Sequence, residues 1–228
     1  MKIIFEIYYH TRWGESLFLS GDIDELGANE ENRAVMMDYQ GDGLWKYTME
    51  LPASAKKFHY EYLVKSGEGI RREWGSPHSF SPGRNAGKYR LVDRWRDVPA
   101  NLPFYSSAFI QGIFFRQHAD SVVETIEQGT FTVKVDAPQL RPDERLVMVG
   151  DCPELGDWDV LKAPLLNDSA FPEWQITLDG RQLKFPFEYK FVIVRTHQRE
   201  VVAWETGENR ICREKPQNPS EAVVVSGL

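Results

Sequence analysis

The chain has 228 residues and a formal net charge of -7, with 27 Lys and Arg against 34 Asp and Glu. That length fits two domains of ordinary size, each able to bury a core without staples. The acidic balance, with no run of like charge, argues against a nucleic-acid partner. No apolar stretch approaches the roughly 20 residues that span a bilayer, so no membrane partner is expected, and the start lacks a signal-peptide h-region. Two cysteines, Cys152 and Cys212, are too few for a disulfide framework. The expected setting is reducing and cytoplasmic.

In chain order, the pattern alternates apolar and polar residues, as half-buried strands do. Strands are predicted at 3–8, 17–20, 45–51 and 60–65 in the first half. The second half repeats them at 131–136, 146–149, 174–178, 187–194, 201–204 and 222–225. Gly, Pro, Asn and Asp fill the gaps, as turns require. No long stretch carries a helical period. Short strands at this spacing predict an all-β fold of two tandem immunoglobulin-like antiparallel β-sandwiches.

The two halves repeat one another. Gly21-Asp22-Ile23-Asp24-Glu25-Leu26-Gly27 returns 129 residues later as Gly150-Asp151-Cys152-Pro153-Glu154-Leu155-Gly156. Trp45 returns as Trp174, and Tyr60-Glu61-Tyr62 pairs with Phe187-Glu188-Tyr189. Trp74 pairs with Trp204 at an offset of 130. The expected division is a first copy at 1–93, an ordered linker at 94–128 and a second copy at 129–228, each copy closing its own core. The linker holds Phe104-Tyr105, Phe109 and Phe114-Phe115, too aromatic for a flexible tether. One or two helical turns fit residues 120–127.

Trp45 and Trp174 lie in phase with core residues. Trp158 does not: it sits in a turn between Asp157 and Asp159. Trp204 ends a strand and leads into a polar turn, and Lys190 lies on the solvent phase of its strand. Two exposed indoles near Lys190 and Asn209 suit a sugar chain, because flat aromatic faces accept the C–H faces of pyranose rings and polar groups fix the hydroxyls.

These residues carry a resemblance. Val149 to Trp158, Phe187 to Phe191 and Trp204 to Arg210 together resemble a family 20 starch-binding domain, over nearly all of residues 129–228. The resemblance implies a glucan site made by Trp158, Trp204, Lys190 and Asn209. The first copy departs from the pattern: Asn29 stands near the place of Trp158, Leu63 for Lys190 and Ser79 for Asn209, with Trp74 retained. Trp13 and Tyr39 fall where the family places the aromatics of a second site. The expected division is therefore complementary, with copy one binding through Trp13 and Tyr39 and copy two through Trp158 and Trp204.

A narrower resemblance is carried by Tyr8 to Leu17 and by Leu102-Pro103-Phe104-Tyr105 with Ile113-Phe114-Phe115. These stretches are similar to the N-terminal part of 4-α-glucanotransferases of the amylomaltase and disproportionating-enzyme family. The resemblance implies a non-catalytic α-1,4-glucan or maltooligosaccharide binder, a downstream catalytic domain as its partner, and no cofactor. The chain reads as an N-terminal fragment. No two carboxylates are paired by spacing for glycoside chemistry, and the five His show no metal spacing. The alternative is a protein-interaction or dimerisation module.

Overall fold

The computed structural model describes residues 1–83, 87–97, 125–137, 140–196 and 198–226. The linker's aromatic run lies outside these residues, as does most of the stretch expected to form helical turns. Of the linker's ends, Ile126 forms an isolated bridge to Pro82 and enters the first core.

The first copy contributes β1 (Lys2–Tyr8), β2 (Ser16–Gly21), β3 (Val35–Met36), β4 (Asp38–Gly41), β5 (Leu44–Glu50), β6 (Phe58–Ser66), β7 (Gly69–Arg72), β8 (His78–Phe80) and β9 (Lys88–Arg94). The second contributes β10 (Thr130–Asp136), β11 (Glu144–Gly150), β12 (Asn167–Ala170), β13 (Glu173–Asp179), β14 (Phe187–Arg195), β15 (Val201–Trp204), β16 (Arg210–Cys212) and β17 (Ala222–Ser226). Both are all-β, as the alternation predicted. In each copy the core Trp anchors the same contact: Trp45 Nε1–H donates to the Tyr9 carbonyl and Trp174 Nε1–H to that of Ala137, each at 3.1 Å.

The two copies do not close separate sheets. One eight-stranded sheet runs through both in the order β12-β13-β10-β17-β9-β1-β5-β4. Its centre is parallel: β1 pairs with β9, β9 with β17, and β17 with β10. The strand order is mirrored about the β9–β17 seam while the strands keep one direction. Two like-handed copies can meet that way only by a half-turn about the strand axis. Their second layers, β3-β2-β6-β7 with β8 and β11-β14-β15 with β16, therefore cover opposite faces of the shared sheet.

The side chains obey this geometry. Tyr89 and Leu91 of β9, and Ala222 and Val224 of β17, enter the first core with Phe5, Tyr60 and Phe80. Val92, Val223 and Val225 enter the second, with Phe131, Trp174 and Phe187. Every residue of β17 is buried. This explains the unbroken apolar run Ala222-Val223-Val224-Val225, since a strand covered on both faces loses its alternation.

Polar groups also cross the seam. Arg90 donates to the carbonyls of Glu214 and Lys215 at 3.1 and 2.6 Å. Lys88 reaches Gln217 at 2.6 Å and Glu221 at 2.8 Å. Lys134 donates to the Ser79 carbonyl at 2.9 Å.

Candidate glucan-binding face

β14 sorts its residues by parity. Phe187, Tyr189 and Phe191 point into the second core. Glu188, Lys190, Val192 and Val194 take the other face. On that outer face Trp158 and Val160 pack against Val147, Val149, Ala163, Val192 and Val194. Trp204 is the direct partner of Val192 and so shares its face. It is 45% exposed. Asn209 precedes the β16 strand and donates from Nδ2 to Glu188 at 2.8 Å. The outer face of the small sheet thus gathers Trp158, Trp204, Lys190 and Asn209. Two grooves of about 590 and 650 Å³ lie elsewhere, around Tyr9 and His10.

Two loops present the tryptophans. The first leaves β11 at Gly150, whose carbonyl accepts the Trp158 N–H at 2.7 Å. Asp157 and Trp158 take φ of +50° and +65°, a left-handed conformation that bulky side chains rarely adopt. The second loop follows Trp204. Glu205 exchanges backbone and side-chain bonds with Phe191: its N–H donates to the Phe191 carbonyl at 3.0 Å, and its carboxylate accepts the Phe191 N–H at 3.3 Å. Arg210 grips the other oxygen of Glu205 at 2.7 Å through Nε. Burial lowers the Arg210 pKa, but the Glu205 carboxylate raises it further, leaving it above the ordinary arginine value.

Lys190 Nζ donates to the carbonyls of Glu205 and Gly207, at 3.1 and 2.6 Å. The resemblance implies a hydrogen bond from Lys190 to sugar; two of the three ammonium protons also hold the Trp204 loop. Asn209 is exposed, with Nδ2 committed to Glu188, which leaves Oδ1 as its side-chain acceptor.

The first copy is registered differently from the sequence alignment. Gly21 faces Tyr60 as Gly150 faces Tyr189. Tyr60 therefore corresponds to Tyr189, two residues away from the match read in sequence. Ser20 pairs with Glu61 as Val149 pairs with Lys190, so Glu61, not Leu63, holds the lysine's place. Leu63 pairs with Arg72 as Val192 pairs with Trp204, so Arg72, not Trp74, holds the tryptophan's place. His78 pairs with Tyr60 as Arg210 does with Tyr189, which puts Pro77, not Ser79, in the place of Asn209. Trp74 lies two residues past the Trp204 position, half-buried, with its N–H on the Arg96 carbonyl at 2.9 Å.

Asn29 does occupy the Trp158 position. Its φ is +63° and its N–H reaches the Gly21 carbonyl at 2.7 Å. Around it the first copy has an ion-pair cluster, with Arg72 donating to both Glu61 and Glu31. Elsewhere in this copy Trp13 is fully exposed, at 104%, in the β1–β2 loop. Tyr39 is 57% exposed on β4. Its ring lies 5.1 Å from that of Trp45, and its hydroxyl accepts the Gly43 N–H at 3.3 Å. Both aromatics belong to the copy whose other face is charged.

Neither cysteine is poised for chemistry. Both are buried thiols, and burial pushes the Cys152 pKa up to about 11 and raises that of Cys212 as well.

Of the two indoles expected to be exposed, Trp204 is and Trp158 is half-buried on its valine cluster. A twice-repeated sandwich with both on one outer face of the second copy fits a carbohydrate-binding class of module. The chain belongs to the starch-binding domain family, whose profile matches residues 1–85 and 128–223. Among its relatives, 4-alpha-glucanotransferase DPE2 of Oryza sativa subsp. japonica is 26% identical over 233 residues, covering 92% of this chain and 24% of that protein. AA13 family lytic polysaccharide monooxygenase A of Aspergillus terreus (strain NIH 2624 / FGSC A1156) is 32% identical over 73 residues, 30% of this chain and 18% of that protein. The chain thus spans about a quarter or less of the length of these relatives. Among solved structures, the family 20 module of a maltotetraose-forming amylase from Pseudomonas saccharophila STB07 is 19% identical, covering 42% of this chain and 99% of that one, with a TM-score of 0.34.

Proposed function

We propose that this chain is a non-catalytic binder of α-1,4-glucan chains, and that the second copy carries the principal site. The observation that carries the reading is the convergence of Trp158, Trp204, Lys190 and Asn209 on one outward face, with both tryptophan loops tied down. Stacked indoles supply the affinity and Asn209 Oδ1 reads a hydroxyl. Trp13 and Tyr39 form the contact of the first copy.

In the whole protein the module would hold glucan near a 4-α-glucanotransferase domain following it, in the cytoplasm, where buried free thiols stay reduced. The similarity to a rice 4-alpha-glucanotransferase supports this. A protein-interaction or dimerisation role is the second reading, favoured by the charged Glu31–Glu61–Arg72 face of the first copy.

The test is isothermal titration calorimetry with β-cyclodextrin, beside Trp158→Ala and Trp204→Ala. Millimolar or tighter binding, lost from one site in either variant, is expected. A flat titration of the wild-type chain, matched by unchanged tryptophan fluorescence, would overturn the reading in favour of the interaction role.

A further inference from the structure

Arg199 has no place in the motif that carries the family resemblance. It lies in the β14–β15 hairpin, far in sequence from Trp158. Its Nη1 donates to the Ala163 carbonyl at 2.7 Å and the Leu161 carbonyl at 2.9 Å, and lies 3.4 Å from that of Val160. All three carbonyls belong to the loop that presents Trp158. Ala163 joins that loop to the cluster on which the Trp158 ring rests. The Ala163 N–H closes the loop on the Asp159 carbonyl at 2.9 Å.

The loop needs such a grip. A tryptophan at φ +65° persists only where its surroundings over-determine the backbone. In the first copy the same position is Asn29, a residue type that tolerates this conformation. There the loop is held through Glu31, whose carbonyl takes Lys65 and whose carboxylate takes Arg72.

The hairpins differ in length to match. The first copy closes tightly, Ser66 pairing with Gly69. The second has its last ladder pair at Val194 and Val201 and closes one step later, the Arg195 N–H donating to the Glu200 carbonyl at 2.9 Å. The copies are offset by 129 residues before the hairpin and by 132 after it, from the pairs Leu63–Arg72 and Val192–Trp204. Of the three added residues, two lengthen the turn, which closes between Arg195 and Glu200, and one is the bulge at Val202; the longer turn brings Arg199 over the Trp158 loop. Arg199 takes φ +50° in that turn, its N–H on the Arg195 carbonyl at 3.0 Å.

We infer that Arg199 is a positioning residue of the glucan site: the lengthened hairpin reaches across to clamp the Trp158 loop, and glucan affinity depends on that clamp. This rests on the starch-binding reading of the same face.

The experiment compares wild type, Arg199→Ala and Arg199→Lys on the full chain. β-Cyclodextrin affinity is measured by calorimetry, and the seven tryptophan indole N–H signals by ¹H–¹⁵N NMR. Arg199→Ala is expected to weaken binding about tenfold, a coupling within the range for residues sharing one network. It is also expected to shift or broaden the Trp158 signal and leave that of core Trp174 in place. Arg199→Lys recovers most of the lost affinity, because one nitrogen makes all the contacts and an ammonium can replace it. Wild-type affinity in Arg199→Ala, an unmoved Trp158 signal, or a lysine variant no better than alanine overturns the inference. No binding by the wild type would instead sink the starch-binding reading, and the two failures are distinct.

Discussion

The hydroxyl of Ser226, at the end of the second copy, donates to the buried carboxylate of Asp93, at the end of the last strand of the first. The other Asp93 oxygen takes the hydroxyls of Tyr60 and Tyr62, at 2.9 and 2.6 Å. The seam between the copies is thus pinned at a polar knot as well as by the shared sheet. Val224, from the second copy, fills the core of the first. The two copies are expected to unfold as one unit. Val224→Ala should cost about 2 kcal/mol and lower the melting midpoint by roughly 4–8 °C, still in a single calorimetric transition. Two separable transitions in the wild type would mean that the copies do not share a core.

The same knot carries a pH dependence. His78 is buried against Glu73, at 3.0 Å, with Asp93 at 3.8 Å; Arg96 bonds Glu73 from the other side, and the Tyr60 ring stacks on the imidazole at 5.1 Å. Burial pulls the His78 pKa down, but the Asp93 and Glu73 carboxylates outweigh it and leave the group above 6.5. A raised cation stabilises fully below its unfolded pKa, and that contribution fades as pH rises through the folded value. Glu73 goes the other way. Burial raises its pKa, His78 and Arg96 lower it further, and the net is below 4.5. Its contribution is present above that unfolded value and is lost as pH falls through the folded one. The melting midpoint should therefore be highest between about pH 5 and 6.5 and fall on the alkaline side. His78→Gln should flatten the alkaline limb. A wild-type midpoint constant from pH 6 to 9 would show that no buried imidazolium contributes.

The sandwich layers were legible because period-two alternation and turn chemistry are local. The repeated Gly-Asp phrase located both αL turns, and the in-phase Trp45 and Trp174 were readable as core. Two things were hidden. The run Ala222 to Val225 reads as a buried strand, but nothing local says that its second face covers another copy's core. The pairing of Tyr60-Glu61-Tyr62 with Phe187-Glu188-Tyr189 was a local likeness two residues out of register. Only the neighbouring strand, with Ser20 opposite Glu61 and Val149 opposite Lys190, fixes the true match. That slip made Leu63 stand for Lys190. A separate slip, past the shorter hairpin, made Trp74 look like Trp204.

Lys190 offers a direct test of how the site is held. If its amine chiefly ties the Trp204 loop, Lys190→Ala should weaken β-cyclodextrin binding about tenfold, as loss of charge-assisted bonds worth about 1.5–3 kcal/mol allows. Amide exchange of residues 205–209 should quicken, with exchange in β11 unchanged. Glu205→Gln, which weakens the Arg210 grip and keeps the loop's carbonyls, should cost less. Lost binding with unaltered exchange in that loop would instead assign Lys190 to the sugar directly.

The first copy supplies the final prediction. Its counterpart of the tryptophan face is charged and self-satisfied, with Arg72 engaged by Glu31 and Glu61, so Arg72→Ala should leave glucan binding unchanged. Trp13→Ala should remove the first copy's contribution and Tyr39→Ala should weaken it, since both rings are exposed. Calorimetry with β-cyclodextrin should then give a stoichiometry near two for the wild type, near one for Trp13→Ala and near one for Trp158→Ala. A single module with a Kd of about 0.1 mM corresponds to roughly -5.5 kcal/mol. Two on one rigid chain can gain about a hundredfold on a long glucan, provided both reach it together. The second layers of the copies lie on opposite faces of the shared sheet, so that gain should appear with amylose and not with a short maltooligosaccharide. Equal affinity for both ligands, together with a stoichiometry of one, would make the first copy a structural support for the second.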